Sequence, residues 1–175
     1  MSTKKLMDSI DFQFQKIIGL AFRRIRRMAA TGSIGIGDMK SKIDKKGESV
    51  SVPQYALHIQ CAYRIVDRNK VVVSNLDMFG VNSSTEWTEN FDWDVDGVNL
   101  YDEKTSAINK DISEAEVLIE NVKASPYGDV DIFLSNGWII QIFVNYSSQY
   151  EAWGLFEVDS DTPHFVVTGQ GVQEP

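Results

Sequence analysis

Near the N-terminus, apolar side chains recur at steps of three and four residues, which is the period of one helical face. Asp8 or Ser9 suits the start of such a helix and Gly32 suits its end, because short polar residues cap N-termini and glycine ends helices. The pattern predicts an amphipathic helix that turns its apolar stripe toward the protein interior. The residues of this stripe are Ile10, Phe14, Ile17, Ile18, Ala21, Ile25 and Met28.

After this segment the pattern changes to alternation of apolar and polar residues, which is typical of β-strands. Residues 33–37 suit a short strand, and a longer strand is predicted over residues 55–66. A turn at residues 67–70 leads into an apolar run at residues 71–74, which predicts a hairpin. Residues 38–51 are charged and contain few large apolar side chains, so we expect a mobile loop there.

The second half of the chain is rich in predicted strands. Asn136-Gly137 separates two apolar runs and suits a two-residue type I′ hairpin turn. Residues 104–112 suit a short helix, and residues 170–175 are expected to form a disordered tail. The strands are predicted at residues 117–124, 129–135, 138–144, 153–158 and 164–168.

Neighbouring strands joined by short turns favour antiparallel pairing. We therefore predict one α+β domain over residues 1–175, in which the N-terminal amphipathic helix packs on a mainly antiparallel β-sheet. A chain of this length buries roughly 70% of its unfolded surface on folding, so its core needs no disulfide or metal. The predicted core residues are Phe14, Ile17, Ile18, Leu57, Ile59, Cys61, Ile132, Leu134, Ile140, Ile142, Phe143 and Phe165.

Charge is distributed unevenly along the chain, whose net charge is −8. Residues 1–48 contain 11 Lys and Arg against 5 Asp and Glu, whereas residues 49–175 contain 6 against 20. An acidic body disfavours nucleic acid as the main partner and suits a basic protein. In the basic segment, two interpretations stay open, a surface patch for anions or membranes and a solvated helix face. The residues concerned are Arg23, Arg24, Arg26 and Arg27.

The single cysteine, Cys61, cannot form an internal disulfide, which fits a reducing compartment. No secretory signal is evident, because Asp8 and Asp11 interrupt the stretch that follows Lys4 and Lys5. The longest apolar runs are much shorter than a membrane span. We therefore expect a cytoplasmic protein, and the sequence leaves its oligomeric state open.

Residues 92–103 match the spacing of an EF-hand calcium loop, in which carboxylates at alternate positions converge on one cation. Two features depart from that pattern: Asn99 stands where an apolar residue is usual, and no second loop of this kind is present. Calcium binding therefore stays an alternative, and no other cofactor is expected. The candidate ligands are Asp92, Asp94, Asp96, the Val98 carbonyl and Glu103, with Gly97 at the sharp turn.

The same segment also suits an acidic, aromatic surface loop. Trp87, Phe91, Trp93 and Tyr101 lie in or beside it. Aromatic side chains supply much of the binding energy at protein interfaces, so these four are candidate anchors for a partner. The surrounding carboxylates would steer a basic protein toward them by long-range attraction.

His58, Gln60 and Arg64 would share one face of the predicted strand over residues 55–66. Such a polar row lines a ligand pocket or forms the solvent face of an antiparallel sheet. Zinc and a Cys–His nucleophile are disfavoured, because Cys61 would point to the opposite face from His58. No ordered set of nucleophile, base and stabiliser is recognisable, which favours a non-enzymatic function over a ligand-binding or enzymatic β-domain.

Three segments carry a family resemblance: residues 58–65, the Asp92-Trp93-Asp94 sequence, and residues 164–169. Together they resemble a family of small bacterial proteins of unassigned function, and some similar acidic domains resemble immunity proteins that neutralise toxins. The resemblance implies an immunity-like interaction protein that binds a basic protein. It implies no catalytic residues.

Overall fold

The computed structural model describes residues 3–173. That part of the chain contains two α-helices, one short 3₁₀ helix and eleven β-strands. Their bounds are α1 Thr3–Phe14, β1 Phe22–Met28, β2 Thr31–Ile43, β3 Ser49–Ile59, β4 Ala62–Asp67, β5 Lys70–Ser74, the 3₁₀ helix Asn75–Phe79, α2 Leu100–Glu114, β6 Ile119–Ala124, β7 Val130–Leu134, β8 Trp138–Phe143, β9 Glu151–Glu157, β10 Phe165–Thr168 and β11 Gly171–Val172.

The strands form two antiparallel sheets. The six-stranded sheet has the order β1-β2-β3-β9-β10-β11, and the five-stranded sheet has the order β5-β4-β8-β7-β6. One hydrophobic core contains buried side chains from both sheets and from both α-helices. The predicted α+β class with antiparallel pairing is therefore confirmed, although the strands divide into two sheets.

The N-terminal helix is shorter than predicted. Ile10 and Phe14 are fully buried in α1, and the Phe14 ring packs 5.6 Å from that of Trp153. The helix ends at Phe14, and Gly19 then adopts a left-handed φ of 81°. Residues 22–28, which the apolar spacing assigned to the helix, form β1 and pair with β2. The extension to Met28 is wrong because pairing with β2 decides the structure of that segment.

Residues 38–51 are largely strand. The prediction of a loop is wrong here, because Met39 pairs with Pro53 and Ile43 pairs with Ser49 across one long β2–β3 hairpin. The side chains of this arm are exposed on both faces, so the segment lacks the buried side that would have marked it as a strand. In the predicted tail, β11 pairs with β10, and residues 174–175 lie outside the described residues.

The predicted strand over residues 55–66 is divided between the two sheets. It breaks at Gln60 and Cys61, whose backbone N–H groups both donate to the carbonyl of Ala152. The part before the break is β3, in the six-stranded sheet, and the part after it is β4, in the five-stranded sheet. The break separates residues that the sequence placed on one face.

The two predicted hairpins, β4–β5 and β7–β8, are present. The turn of the second differs from type I′, because only Gly137 has a positive φ and its N–H donates to the Leu134 carbonyl. This is the three-residue hairpin loop that ends in a left-handed glycine. No helix within residues 3–173 is long and apolar enough to cross a membrane.

Most of the predicted core is buried as expected. The exceptions are Ile18 and Phe165, which are half-buried against the core, and Phe143, which is 36% exposed. Phe143 lies on the outer face of β8, next to Ala62 of β4. Its strand is apolar on both faces, so the sequence did not reveal which side chains point outward.

Candidate functional site

The acidic loop, defined here as residues 80–103, connects the 3₁₀ helix to the first turn of α2. It contains seven Asp and Glu and no Lys or Arg. Its ends are held together, since the Leu100 N–H donates to the Gly80 carbonyl at 2.7 Å and the Asn82 N–H donates to the Val98 carbonyl at 3.1 Å. The loop is therefore closed at its base by backbone hydrogen bonds.

The side chain of Arg27, in β1, extends into the acidic loop. Its guanidinium makes two hydrogen bonds with the Asp102 carboxylate, at 2.8 and 3.0 Å, and one with Asp94 Oδ1 at 2.9 Å. It also donates to the carbonyls of Asp94 and Val95 at 3.2 Å, and to Asp96 Oδ1 at 3.5 Å. The Arg27 side chain is only 4% exposed. One buried cation therefore binds the loop at several points.

The charges in this contact stabilise one another. The hydrogen bond with Asp102 raises the pKa of Arg27 despite the opposing effect of burial. Burial by itself would raise the pKa of Asp102, but hydrogen bonds from Arg27 and from the Gly97 N–H outweigh it and hold that pKa below its usual value. Asp102 is 18% exposed and is ionised at neutral pH. The pair is thus a shielded, bidentate ion pair of the strong kind.

The candidate calcium ligands have other partners. The Glu103 carboxylate accepts hydrogen bonds from Ser83 N at 2.6 Å and Ser83 Oγ at 2.9 Å, which lowers its pKa. Asp92 Oδ1 accepts from the Asp94 N–H at 3.1 Å, and Asp94 binds Arg27. Within residues 3–173 no group of three or more His, Cys, Asp or Glu is placed to hold a metal ion. The Arg27 guanidinium therefore binds two of the carboxylates that the EF-hand pattern assigns to calcium, those of Asp94 and Asp96.

Asn99, which departs from the EF-hand pattern, caps α2. Its Oδ1 accepts from the Asp102 N–H at 2.8 Å, and its Nδ2 donates to the Trp93 carbonyl at 2.8 Å. Asparagine is a favoured N-cap because its side chain satisfies an unpaired amide of the first helical turn. Asn99 is completely buried. The polar residue at this position therefore orients Asp102 toward Arg27.

The four aromatic residues have different environments. Trp87 is 68% exposed, and Phe91 is half-buried. Trp93 is half-buried, with its ring 5.1 Å from that of Phe79 and 5.9 Å from the guanidinium carbon of Arg27. Trp87 is thus the one that offers most of its surface to a partner.

The assignment of Tyr101 as a partner anchor is wrong. It is fully buried, and its hydroxyl accepts a hydrogen bond from the Tyr63 hydroxyl at 2.5 Å. Burial raises the pKa of both phenols. Tyr101 lies in the first turn of α2, and its side chain points into the protein interior. The loop side chains that do face outward include Glu86, Glu89, Asp92 and Asp96 together with Trp87.

The predicted row of His58, Gln60 and Arg64 is not formed. His58 lies in β3 with its ring 4.7 Å from that of Phe156, and Gln60 is exposed in the connection to β4. Arg64 lies in the other sheet, where it donates to Gln141 Oε1 at 2.9 Å. The three side chains do not share one face, because the chain passes from the six-stranded sheet to the five-stranded sheet between His58 and Arg64.

Cys61 is buried at the break between the sheets. Burial raises its pKa to about 12, so the thiol is protonated at neutral pH. A protonated, buried thiol is a poor nucleophile. Cys61 therefore has the environment of a small core residue.

The sequence pattern did not reveal that Arg27 and Asp102 hold the acidic loop in place. Arg27 was grouped with neighbouring arginines on a helix, and Asp102 is outside the EF-hand ligand positions. The three-residue step from Asn99 to Asp102, typical of an N-cap with an acidic first turn, was the available signal.

No family model matches this chain, and no curated protein and no solved structure matches it. The family resemblance carried by residues 58–65, 92–94 and 164–169 stays an expectation.

Proposed function

We propose that this protein is a non-enzymatic interaction protein that binds a basic protein partner through the acidic loop. The observation that carries the proposal is the division of the loop's carboxylates into two groups. Asp94 and Asp102 bind Arg27, whereas Glu86, Glu89 and Asp92 are exposed and make no contact with it. The inner group holds the loop in place, and the outer group stays available to a partner.

A loop that is ordered before binding loses less conformational freedom when a partner docks. Arg27, the Asn99 cap and the closed base provide that order in the free protein. The outer carboxylates form a negative field that is not cancelled by any Lys or Arg within the loop. Such a field raises the rate of encounter with a basic protein and does so most strongly at low salt.

Trp87 supplies the anchor in this proposal. Its ring is exposed, and in the sequence it lies between Glu86 and Glu89. Tryptophan is among the residues enriched in binding hot spots. The specific form of partner that the family resemblance implies is a basic toxin, whose site an immunity-like protein would block.

The test compares two variants of equal charge. The loop variant carries Glu86→Gln, Glu89→Gln and Asp92→Asn, which preserve side-chain shape. The control variant carries three neutral substitutions at exposed acids outside the loop: Glu48→Gln, Glu114→Gln and Asp161→Asn. Proteins from the source cells that bind the immobilised wild type are identified by mass spectrometry, purified, and measured against all three proteins.

We expect the association rate of a true partner to fall by about tenfold or more with the loop variant, and much less with the control. Raising the salt concentration should reduce that difference. Trp87→Ala should increase the dissociation rate, whereas Tyr127→Ala, which also truncates an exposed aromatic side chain, should not. Equal binding by the loop and control variants would overturn the proposal.

A further inference from the structure

The outer face of the six-stranded sheet carries a second charged surface, opposite in sign to the acidic loop. Ile25, Ile34 and Leu57 pair across β1, β2 and β3 and point into the core. Side chains alternate along a strand, so their neighbours point outward. One outward row therefore runs across Arg26, Ser33 and His58, since Arg26 pairs with Ser33 and Ser33 pairs with His58.

The adjacent outward row contains Arg24, Gly35, Ala56 and Phe156, which pair across the same strands. His164 joins it, because its ring stacks on that of Phe156 with 4.2 Å between centroids. His58 contacts the same Phe156 ring edge-on. Both histidines of the chain and two arginines thus lie on one sheet face.

The two arginines on this face differ from their neighbours in the same strand. Arg23 and Arg27 form ion pairs with Glu116 and with the acidic loop, respectively. In residues 3–173 neither Arg24 nor Arg26 forms an ion pair, and Arg24 makes only a 3.5 Å hydrogen bond with the Ser51 carbonyl. Within the described residues, both guanidinium groups on this face therefore lack a carboxylate partner and are available to a negative ligand.

The positive groups also destabilise one another. Burial lowers the pKa of His58, and the charges of Arg26 and His164 lower it further. Burial and the charge of Arg26 likewise lower the pKa of Arg24. A negative ligand seated among these groups would remove that repulsion, because an opposite charge within a few ångströms favours the protonated form.

Ser33 contributes a hydroxyl group to this surface. It lies between Arg26 and His58, and its Oγ makes no hydrogen bond with any residue in the described part of the chain. No buried side-chain oxygen there is without a partner, so this hydroxyl is in contact with solvent. Adjacent strands are about 4.8 Å apart, so the backbones of Arg26 and His58 are separated by about 10 Å across Ser33. The arginine and imidazole side chains are long enough to meet a tetrahedral group placed on Ser33.

One carboxylate borders this surface. Glu151 Oε1 lies 3.0 Å from the position that a Cβ on Gly154 would occupy, and Gly154 pairs with His58 on the side away from Ser33. Along this row, Ser33 is therefore flanked by Arg26 on β1 and by His58 on β3, with the acid beyond the histidine. The net charge of −8 repels polyanions from the molecule, which favours a small anion over a nucleic acid.

We propose that Arg26, Ser33 and His58, with Arg24 and His164 beside them, form a binding site for a small phosphate-bearing ligand. Arg26 contributes a fork of N–H donors that matches phosphate oxygens. Ser33 donates its hydroxyl, and protonated His58 supplies the second charge. This site is independent of the acidic loop and of its proposed protein partner.

The test uses the ring NMR signals of the two histidines, with inorganic phosphate as the probe. The pKa of His58 is measured in phosphate, in acetate and in chloride at equal ionic strength, and His164→Gln assigns the signals. We expect phosphate to raise the His58 pKa by about 0.5 units or more relative to chloride, because the bound anion favours imidazolium. Acetate should have a smaller effect.

Arg26→Gln should remove the phosphate-dependent shift, and Ser33→Ala should reduce it. Arg64→Gln is the matched control, because Arg64 lies on the other sheet and binds Gln141. Urea unfolding shows whether each variant is folded under the conditions of the titration. Equal His58 pKa values in phosphate and chloride, equal shifts with acetate, or a full shift in folded Arg26→Gln would overturn the site.

Discussion

Arg27 provides the sharpest test of how the acidic loop is held in place. Replacing it by Met keeps much of the aliphatic stem and removes the guanidinium from Asp94, Asp102 and the two loop carbonyls. Breaking a buried ion pair usually costs about 3–5 kcal/mol, because one charge is left without its partner. The cost here should be lower, since Asp102 keeps a 2.8 Å hydrogen bond from the Gly97 N–H and has some contact with water.

We therefore expect Arg27→Met to lower the free energy of unfolding by about 2–3 kcal/mol. Contacts with Asp94 and Asp96 add little to this figure, since exposed ion pairs contribute roughly 0–1 kcal/mol. For a domain of this size the loss corresponds to a decrease of about 5–10 °C in Tm. Urea unfolding followed by tryptophan fluorescence measures the first quantity, and calorimetry measures the second.

The pH dependence supplies a second readout. The pKa of Asp102 is lowered in the folded protein, so its ionised form contributes stability above the unfolded-state value of about 4. That contribution is lost as the pH falls through the lower, folded-state value. The difference in stability between wild type and Arg27→Met should therefore be largest near neutral pH and should decrease below about pH 4.

Arg23→Met is the matched control, because Arg23 lies in the same strand and its ion pair with Glu116 is largely exposed. It should cost no more than about 1 kcal/mol. Hydrogen exchange should accelerate at loop amides such as that of Gly97 in Arg27→Met and not in Arg23→Met. If the two variants unfold at the same urea concentration, the account of Arg27 as the organiser of the loop is refuted.

Three further predictions concern other parts of the molecule. Gly32→Ala should destabilise the protein by about 1–3 kcal/mol in urea unfolding, because the new Cβ would lie 2.3 Å from the Tyr63 hydroxyl oxygen; a neutral result would contradict this packing. Cys61, with a pKa of about 12, should react with iodoacetamide at pH 8 only after unfolding, and rapid labelling of the native protein would contradict its burial. Millimolar calcium should change Tm no differently from magnesium, and a calcium-specific increase that Asp94→Ala with Glu103→Gln abolishes would show a metal site in the loop.

Local sequence patterns were sufficient for hairpins whose strands are close in the chain. Strands β7 and β8 were predicted because their apolar runs flank Asn136-Gly137, and both the pairing and the turn involve neighbouring residues. The helix α2 and the hairpin at Arg68 were predicted for the same reason. The general prediction of an α+β fold with antiparallel strands followed from these short-range signals.

In segments whose periodicity was ambiguous, contacts between residues distant in the sequence decided the secondary structure. Ile17 and Ile25 are both buried, which satisfied the helical spacing, yet β1 forms because its backbone pairs with β2. Likewise, alternation continues from Leu57 to Ile65 although the chain leaves one sheet for the other at Gln60. Burial alone does not distinguish these outcomes, because a side chain reaches the same core from a helix or from either sheet.

The composition of the acidic loop, its aromatic residues and the charge difference between the N-terminal segment and the remainder can be read from the sequence. The contacts of those charges cannot, because they depend on how the chain packs. Arg27 and Asp102 are separated by 75 positions, and Arg26 meets Ser33 and His58 through strand register. Charge acts through space rather than along the chain, so the partner of each ionised side chain is set by the packing of the two sheets and α2.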